Sequence, residues 1–101
     1  MLAEFSVTPI GVGESVSEYV AVCLKIVADS GLEYRMNPMG TVVEGGFDEV
    51  MTVIIRCHKA VRGSCRRVST IIKIDDREGA EAAITSKVES VERKVGGRLR
   101  T

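Results

Sequence analysis

The chain has 101 residues, 45% hydrophobic and 28% charged, the balance of a single small globular domain (residues 1–101) rather than of a disordered segment. Its 14 Lys+Arg offset 14 Asp+Glu, which argues against the basic stripe of a nucleic-acid binder and the basic face of a membrane-surface helix, and leaves self-association unopposed by like charge. No run approaches the roughly 18 apolar residues of a membrane span, "MLAEFSVTPIGVG" lacks the leader and core of a signal peptide, and the three cysteines (Cys23, Cys57, Cys65) have no CxxC spacing, so a reducing cytoplasm is expected.

Residues 3–9 alternate, Ala3, Phe5 and Val7 against Glu4, Ser6 and Thr8, which predicts a strand with one polar face. After the loop "IGVGE", Ser15 with Glu18 reads as a capping box, and a helix runs to about Asp29 with Val16, Val20, Cys23, Leu24 and Val27 as its apolar stripe. Gly31 suits a left-handed cap. "LEYRMN" at 32–37 and "TVVEG" from Thr41 are strands joined by a turn at Pro38–Gly40. The second helix opens at "FDEV", with Asp48 and Glu49 at the positive end of its dipole. Its expected buried side is Val50, Met51, Ile54, Ile55, His58 and Val61, and Gly63 ends it. Residues 67–75 form a fourth strand. A third helix over about 78–95 carries Ile84, Val88, Val91 and Val95 inside and a Glu89–Arg93 pair outside.

The order β-α-β-β-α-β-α is the split βαβ, ferredoxin-like α+β pattern with an added C-terminal helix. It predicts a four-stranded antiparallel sheet in the order 4-1-3-2, with two helices on one face and the C-terminal helix at an edge or on a neighbour. The other face, with Glu4, Ser6, Thr8, Lys73 and Ile71, must be covered by water, a third helix, a ligand or another subunit.

"GVG" at 11–13 lacks the third glycine and the lysine of a phosphate loop and reads as a flexible turn. His58 sits at helical spacing with apolar residues, the pattern of a partly buried, hydrogen-bonded histidine, and has no Ser, Cys or Asp placed to complete a triad. Cys57 and His58 are adjacent on a helix and point about 100° apart, which argues against a metal site with Cys65. In "KIDDR" at 73–77, Asp75 or Asp76 is expected to cap the following helix. With two Phe, two Tyr and no RNP motif, the RNA-binding variant of the fold is set aside. No nucleophile–base pair, paired carboxylate or cofactor fingerprint stands out, so an enzyme is disfavoured and no cofactor is expected.

Taken in order, "EFSVTPIG", "SVSEYV", "MGTVVEG", the helix with "CHKAV", and "RVSTIIKIDDR" with "KVESV" resemble the small thiamine-binding protein family, the MTH1187/YkoF-like or UPF0045 group. The resemblance covers nearly the whole chain. It implies a ferredoxin-like fold, dimers joined through their sheets, homotetramers of single-domain members, and non-catalytic binding of thiamine or its hydroxymethylpyrimidine part. A carboxylate can accept from the aminopyrimidine amine and faces the cationic thiazolium favourably. Glu4, Ser6, Thr8, Ser15, Thr41 and Glu44 are groups of the right kind, Met39 and Ile71 can line a pocket, and Gly40 lets backbone come close to a ligand. Lys73 belongs to this set only if Glu4 offsets its charge, and ring stacking would fall to Tyr34 or to apolar side chains. Alternation leaves Glu44 undecided between faces, since either valine of "TVVE" would suit the core, but the cost of burying an unpaired carboxylate favours the open face. Pairing with Lys73 or Arg35, or capping of the strand end, is the alternative role. A structural or metabolite-sensing oligomeric module is the competing function.

Overall fold

A computed structural model describes all 101 residues. The elements are β1 (Leu2–Pro9), α1 (Ser17–Asp29), β2 (Glu33–Asn37), β3 (Gly40–Glu44), α2 (Phe47–Arg62), β4 (Val68–Asp75) and α3 (Ala83–Val95). The strands pair antiparallel in the order β2-β3-β1-β4, the order expected. Registers Leu2↔Glu44, Leu2↔Asp75 and Glu33↔Glu44 put Leu2, Glu4, Glu44, Glu33 and Asp75 in phase on one face.

The other face is the core. Ala3, Phe5, Val7 and Val43 are buried there against Cys23 and Val27 of α1 and Val50, Val53, Ile54, Cys57 and Val61 of α2. On α2 this corrects the expected stripe: Val53 and Cys57 are inside, whereas Ile55 is exposed. Cys57 fits because the α1–α2 contact is close. Its thiol donates to the Cys23 carbonyl at 3.5 Å, and the Cys23 thiol lies 3.9 Å from the Cys57 carbonyl. The contact with Cys23, together with burial, pushes the Cys57 thiol well above its ordinary range, so it stays protonated.

Helix starts differ from the sequence reading. In α1 the Val16 carbonyl accepts the first bonds, from Tyr19 and Val20, so Ser15 lies one residue too early to cap; its hydroxyl meets only that of Ser17, at 3.5 Å. The α1 exit does use Gly31, at φ +79°. α3 starts at Ala83 rather than 78, because Gly79 (φ +75°) and Ala82 (φ +51°) take left-handed conformations that interrupt helical propagation. No ion pair joins Glu89 to Arg93; the two that form are Lys25–Asp29 and Lys87–Asp75.

Candidate ligand groove on the open face of the sheet

Alternation along the strands puts Glu4, Ser6 and Thr8 of β1, Arg35 and Asn37 of β2, Val42 and Glu44 of β3, and Ile71, Lys73 and Asp75 of β4 on the face opposite α1 and α2. α3 lies across this face over β2 and β3, with Ala83 buried and Ile84 and Val88 half-buried. It stands as a wall on one side and leaves the β4 side bare, with Ile71 68% exposed.

The wall is fixed by Glu44. Its two carboxylate oxygens accept from the backbone N–H groups of Ala83 (2.8 Å) and Ile84 (3.1 Å). These amides open α3, where a negative charge is favoured by the helix dipole. Glu44 is therefore on the open face, as burial cost dictated, but its carboxylate is committed to a long-range helix cap and not to a strand end, Lys73 or Arg35. Asp75 does not cap α3 either. It pairs with Lys87 one turn into the helix, and that hydrogen bond and charge hold its carboxyl below the usual carboxylate range. Between these two anchors lies a cavity of about 280 Å³ that Met1, Arg77 and Ser86 also line.

A second cavity, a groove of about 320 Å³, runs between α3 and the sheet. Leu2, Val42, Ala83, Ile84 and Val88 give it an apolar floor and wall, and Arg35, Asn37, Lys87 and Thr101 supply its polar groups. Beside Val42 on the neighbouring strand lies Glu4. Its side chain passes over Gly40, where a Cβ would come within 3.3 Å of Glu4 Cγ, so the absence of a side chain at 40 lets it lie flat. Glu4 takes part in neither ion pair of the chain. It is exposed, and Lys73 is its cross-strand partner on β4. Ser6 and Thr8 continue the row along β1.

Other expected site residues are elsewhere. Thr41 is 5% exposed and faces the core, in phase with Phe5. Having small Thr41 and Val43 inward puts Val42 outward, the choice that alternation had left open. Tyr34 pairs with Val43 and so turns away from Glu4, which removes it as a stacking partner. Met39 is 91% exposed at the tip of the β2–β3 hairpin, and Ser15 lies in the loop beyond the Pro9 end of β1. Neither lines the groove. Sequence reasoning singled out none of the residues that line this groove as ligand contacts. For Arg35, Asn37 and Val42 the signal was parity: the Pro38–Met39 turn fixes Asn37↔Gly40, which puts Arg35 and Asn37 in phase with Val42.

On the covered face, His58 Nδ1 is 2.6 Å from Thr70 Oγ1, the partly buried and hydrogen-bonded histidine expected. No three His, Cys, Asp or Glu side chains converge as metal ligands. No helix is long and apolar enough to cross a membrane.

The chain is 48% identical over 94 residues to UPF0045 protein Mb1933 of Mycobacterium bovis, covering 92% of each. It superposes on the crystal structure of the hypothetical protein MJ1052 of Methanocaldococcus jannaschii with a TM-score of 0.84 at 36% identity, over 89% of this chain and 93% of that one. A domain of unknown function from Bacillus cereus aligns with a TM-score of 0.77 at 31% identity, over 86% and 85% of the two chains. Residues 3–92, from the start of β1 to the last turn of α3, match the profile of the thiamine-binding proteins. With the split βαβ sheet, its added helix and the half-walled open face, this match settles the family: the chain belongs to the thiamine-binding protein (UPF0045) family.

Proposed function

We propose that the protein binds thiamine or its hydroxymethylpyrimidine part on the open face of the sheet, without catalysis. The observation that carries this reading is Glu4: an exposed carboxylate free of ion pairing, laid flat over Gly40 and next to an apolar groove of ring-sized volume. The pyrimidine ring enters between α3 and Val42. Asn37 offers both donor and acceptor to the ring edge, and the Glu4 carboxylate accepts from the exocyclic amine. The thiazolium then lies over β1 toward Ser6 and Thr8 and away from Lys73, which forms no ion pair with Glu4. Glu44 serves by holding the wall, and Gly40 by making room.

Calorimetry with thiamine and with hydroxymethylpyrimidine tests the reading. Glu4→Gln keeps the shape and removes the charge; loss of a charged hydrogen-bond partner costs about 1.5–3 kcal/mol, roughly a ten- to hundredfold loss of affinity. No heat from the parent protein at millimolar ligand sinks the assignment, and turnover in a metabolite screen sinks the non-catalytic part.

We infer further that the protein is a cytoplasmic homotetramer built from dimers that engages no nucleic acid. Exposed Ile71, Val91 and Val95 support burial against other copies, and the unpaired buried thiols of Cys23, Cys57 and Cys65 suit a reducing compartment. Light scattering that gives 10.9 kDa, one chain, at micromolar concentration rules out the assembly.

A further inference from the structure

α3 ends at Val95, and the segment after it, Gly96–Thr101, folds back on the helix. Gly96 takes a left-handed conformation at φ +88°, which glycine adopts without strain. Its N–H and that of Gly97 both donate to the Glu92 carbonyl, at 2.8 and 3.2 Å, and the chain reverses there. Further on, the Leu99 N–H donates to a carboxylate oxygen of the same Glu92 at 2.7 Å. Thr101 then reaches the groove of about 320 Å³, beside Ile84, Lys87 and Val88 of α3. The rise from Val88 to Val95 is about 10 Å at roughly 1.5 Å per helical residue, a distance that the extended chain from Gly97 to Thr101 spans. The segment therefore runs antiparallel to the last turns of α3 and brings Thr101 to the groove that Arg35 and Asn37 of the edge strand β2 also line.

Little else holds this segment. The Glu92–Leu99 contact is its one side-chain hydrogen bond, Arg98 and Arg100 take part in neither ion pair of the chain, and every residue from Gly96 to Thr101 is exposed. A Cβ at Gly96 or Gly97 would meet no atom within 4 Å, so the pair turns in open space. Segments with exposed hydrogen bonds and few covered atoms open and reclose readily while the rest of the fold stays intact. We propose that Gly97–Thr101 is a strap that closes the ligand groove on its β2 side, swinging on Gly96–Gly97, and that Glu92 latches it shut. With the strap down, Thr101 covers a side of the groove that neither α3 nor the sheet closes. With the latch broken, that side opens to solvent. Glu92 does not itself line the groove; it acts through the strap and is a positioning residue.

The strap regulates the site assigned above and rests on that groove being the binding site, but its closure can be measured without ligand. Arg35→Cys places a thiol in the groove, whereas the native Cys23, Cys57 and Cys65 are buried. Alkylation by iodoacetamide, followed by mass spectrometry, reads access to each thiol. Glu92→Ala removes the acceptor of the latch and Leu99→Pro removes its donor. In either background the groove thiol is expected to react about tenfold faster than in Arg35→Cys alone, the factor that matches loss of one exposed hydrogen bond to a charged group. Glu92→Gln keeps an acceptor oxygen and should fall between. Equal rates with and without the latch overturn the strap. Native cysteines that become reactive in step with the groove thiol also overturn it, because the whole fold has then loosened. In stopped-flow mixing with thiamine, Glu92→Ala should raise the association and dissociation rates together and leave the affinity nearly unchanged; a change in affinity alone overturns the gating role. Absence of thiamine binding by the parent protein sinks the ligand assignment, and the alkylation rates then decide the strap by themselves.

Discussion

On the covered face of the sheet Ala3, Phe5, Val7 and Val43 are buried against two helices, whereas one residue along the same strands Glu4, Ser6, Thr8 and Val42 look onto a face that α3 crosses only on one side. The strands are shared, so backbone pairing cannot be what separates the two faces. The separation comes from what covers them. α1 and α2 bring a row of apolar side chains that interlock with the sheet. α3 brings Ala83, Ile84 and Val88 at its start and then leaves Val91 and Val95 exposed. One face stores stability, and the other retains a groove and an unengaged carboxylate because it is incompletely packed.

The sharpest way to break this division is from the packed side. Ile54 is 1% exposed between α2 and the sheet. Ile54→Ala is expected to cost about 2–5 kcal/mol through lost transfer energy and the cavity left behind, lowering the midpoint of thermal unfolding by roughly 10 °C or more. Below that midpoint thiamine affinity should match the parent. A matching fall in affinity in the folded protein would show that the two faces are not separable. Glu44→Ala acts at the boundary. It leaves the Ala83 and Ile84 amides without their acceptor and should cost about 1–2 kcal/mol, with hydrogen-exchange protection lost at these two amides while the α2 amides keep theirs. If Glu44→Gln weakens thiamine binding while α3 stays protected, the carboxylate contacts ligand directly and the division is drawn in the wrong place. Gly40→Ala acts wholly on the open face. A strand accepts alanine, so stability should move by less than about 0.5 kcal/mol, but the new Cβ meets Glu4 Cγ at 3.3 Å and lifts the carboxylate. A roughly two- to tenfold weakening of thiamine binding is expected, short of the Glu4→Gln loss. Unchanged affinity would mean that the position of Glu4 is immaterial.

What could be read from the sequence follows the same division. Period-two alternation in "AEFSVTP" specified the inward set of β1 residue by residue, and with strand order it placed Glu4, Ser6, Thr8 and Lys73 together on the other face. The α2 stripe was read about one position off. Cys57 is inside because a small thiol fits where α1 approaches closely, and that closeness is a property of two helices together. "TVVE" was undecided because Thr41 is short enough to be buried and Val42 apolar enough to line a groove. The start of α3 was illegible, since its cap arrives from β3, 39 residues earlier; local signals at Ser15 and at Asp75 or Asp76 suggested caps that do not form. The candidate site was half legible for the same reason. The open-face residues of β1 and β4 follow from parity, but the groove beside them lies under α3, whose position depends on the long-range Glu44 contact.

The smallest expected effect lies at the second anchor of that wall. The hydrogen bond and charge of Lys87 depress the carboxyl of Asp75, with smaller help from Arg77 and Lys73. A carboxyl whose native value is below its unfolded value binds fewer protons when folded, so its contribution is complete above about pH 4, the ordinary aspartate range, and is lost as pH falls through the native value. Asp75→Asn should therefore flatten the fall in stability below about pH 4 and change little at pH 7, where an exposed pair contributes little. Salt should shrink the difference between parent and variant, because both partners are open to screening. Urea unfolding of the two proteins at several pH values, at low and high salt, reads this directly. Parallel profiles for Asp75→Asn and the parent would mean that Lys87 and Asp75 do not pair in solution, leaving Glu44 as the sole anchor of α3 over the groove.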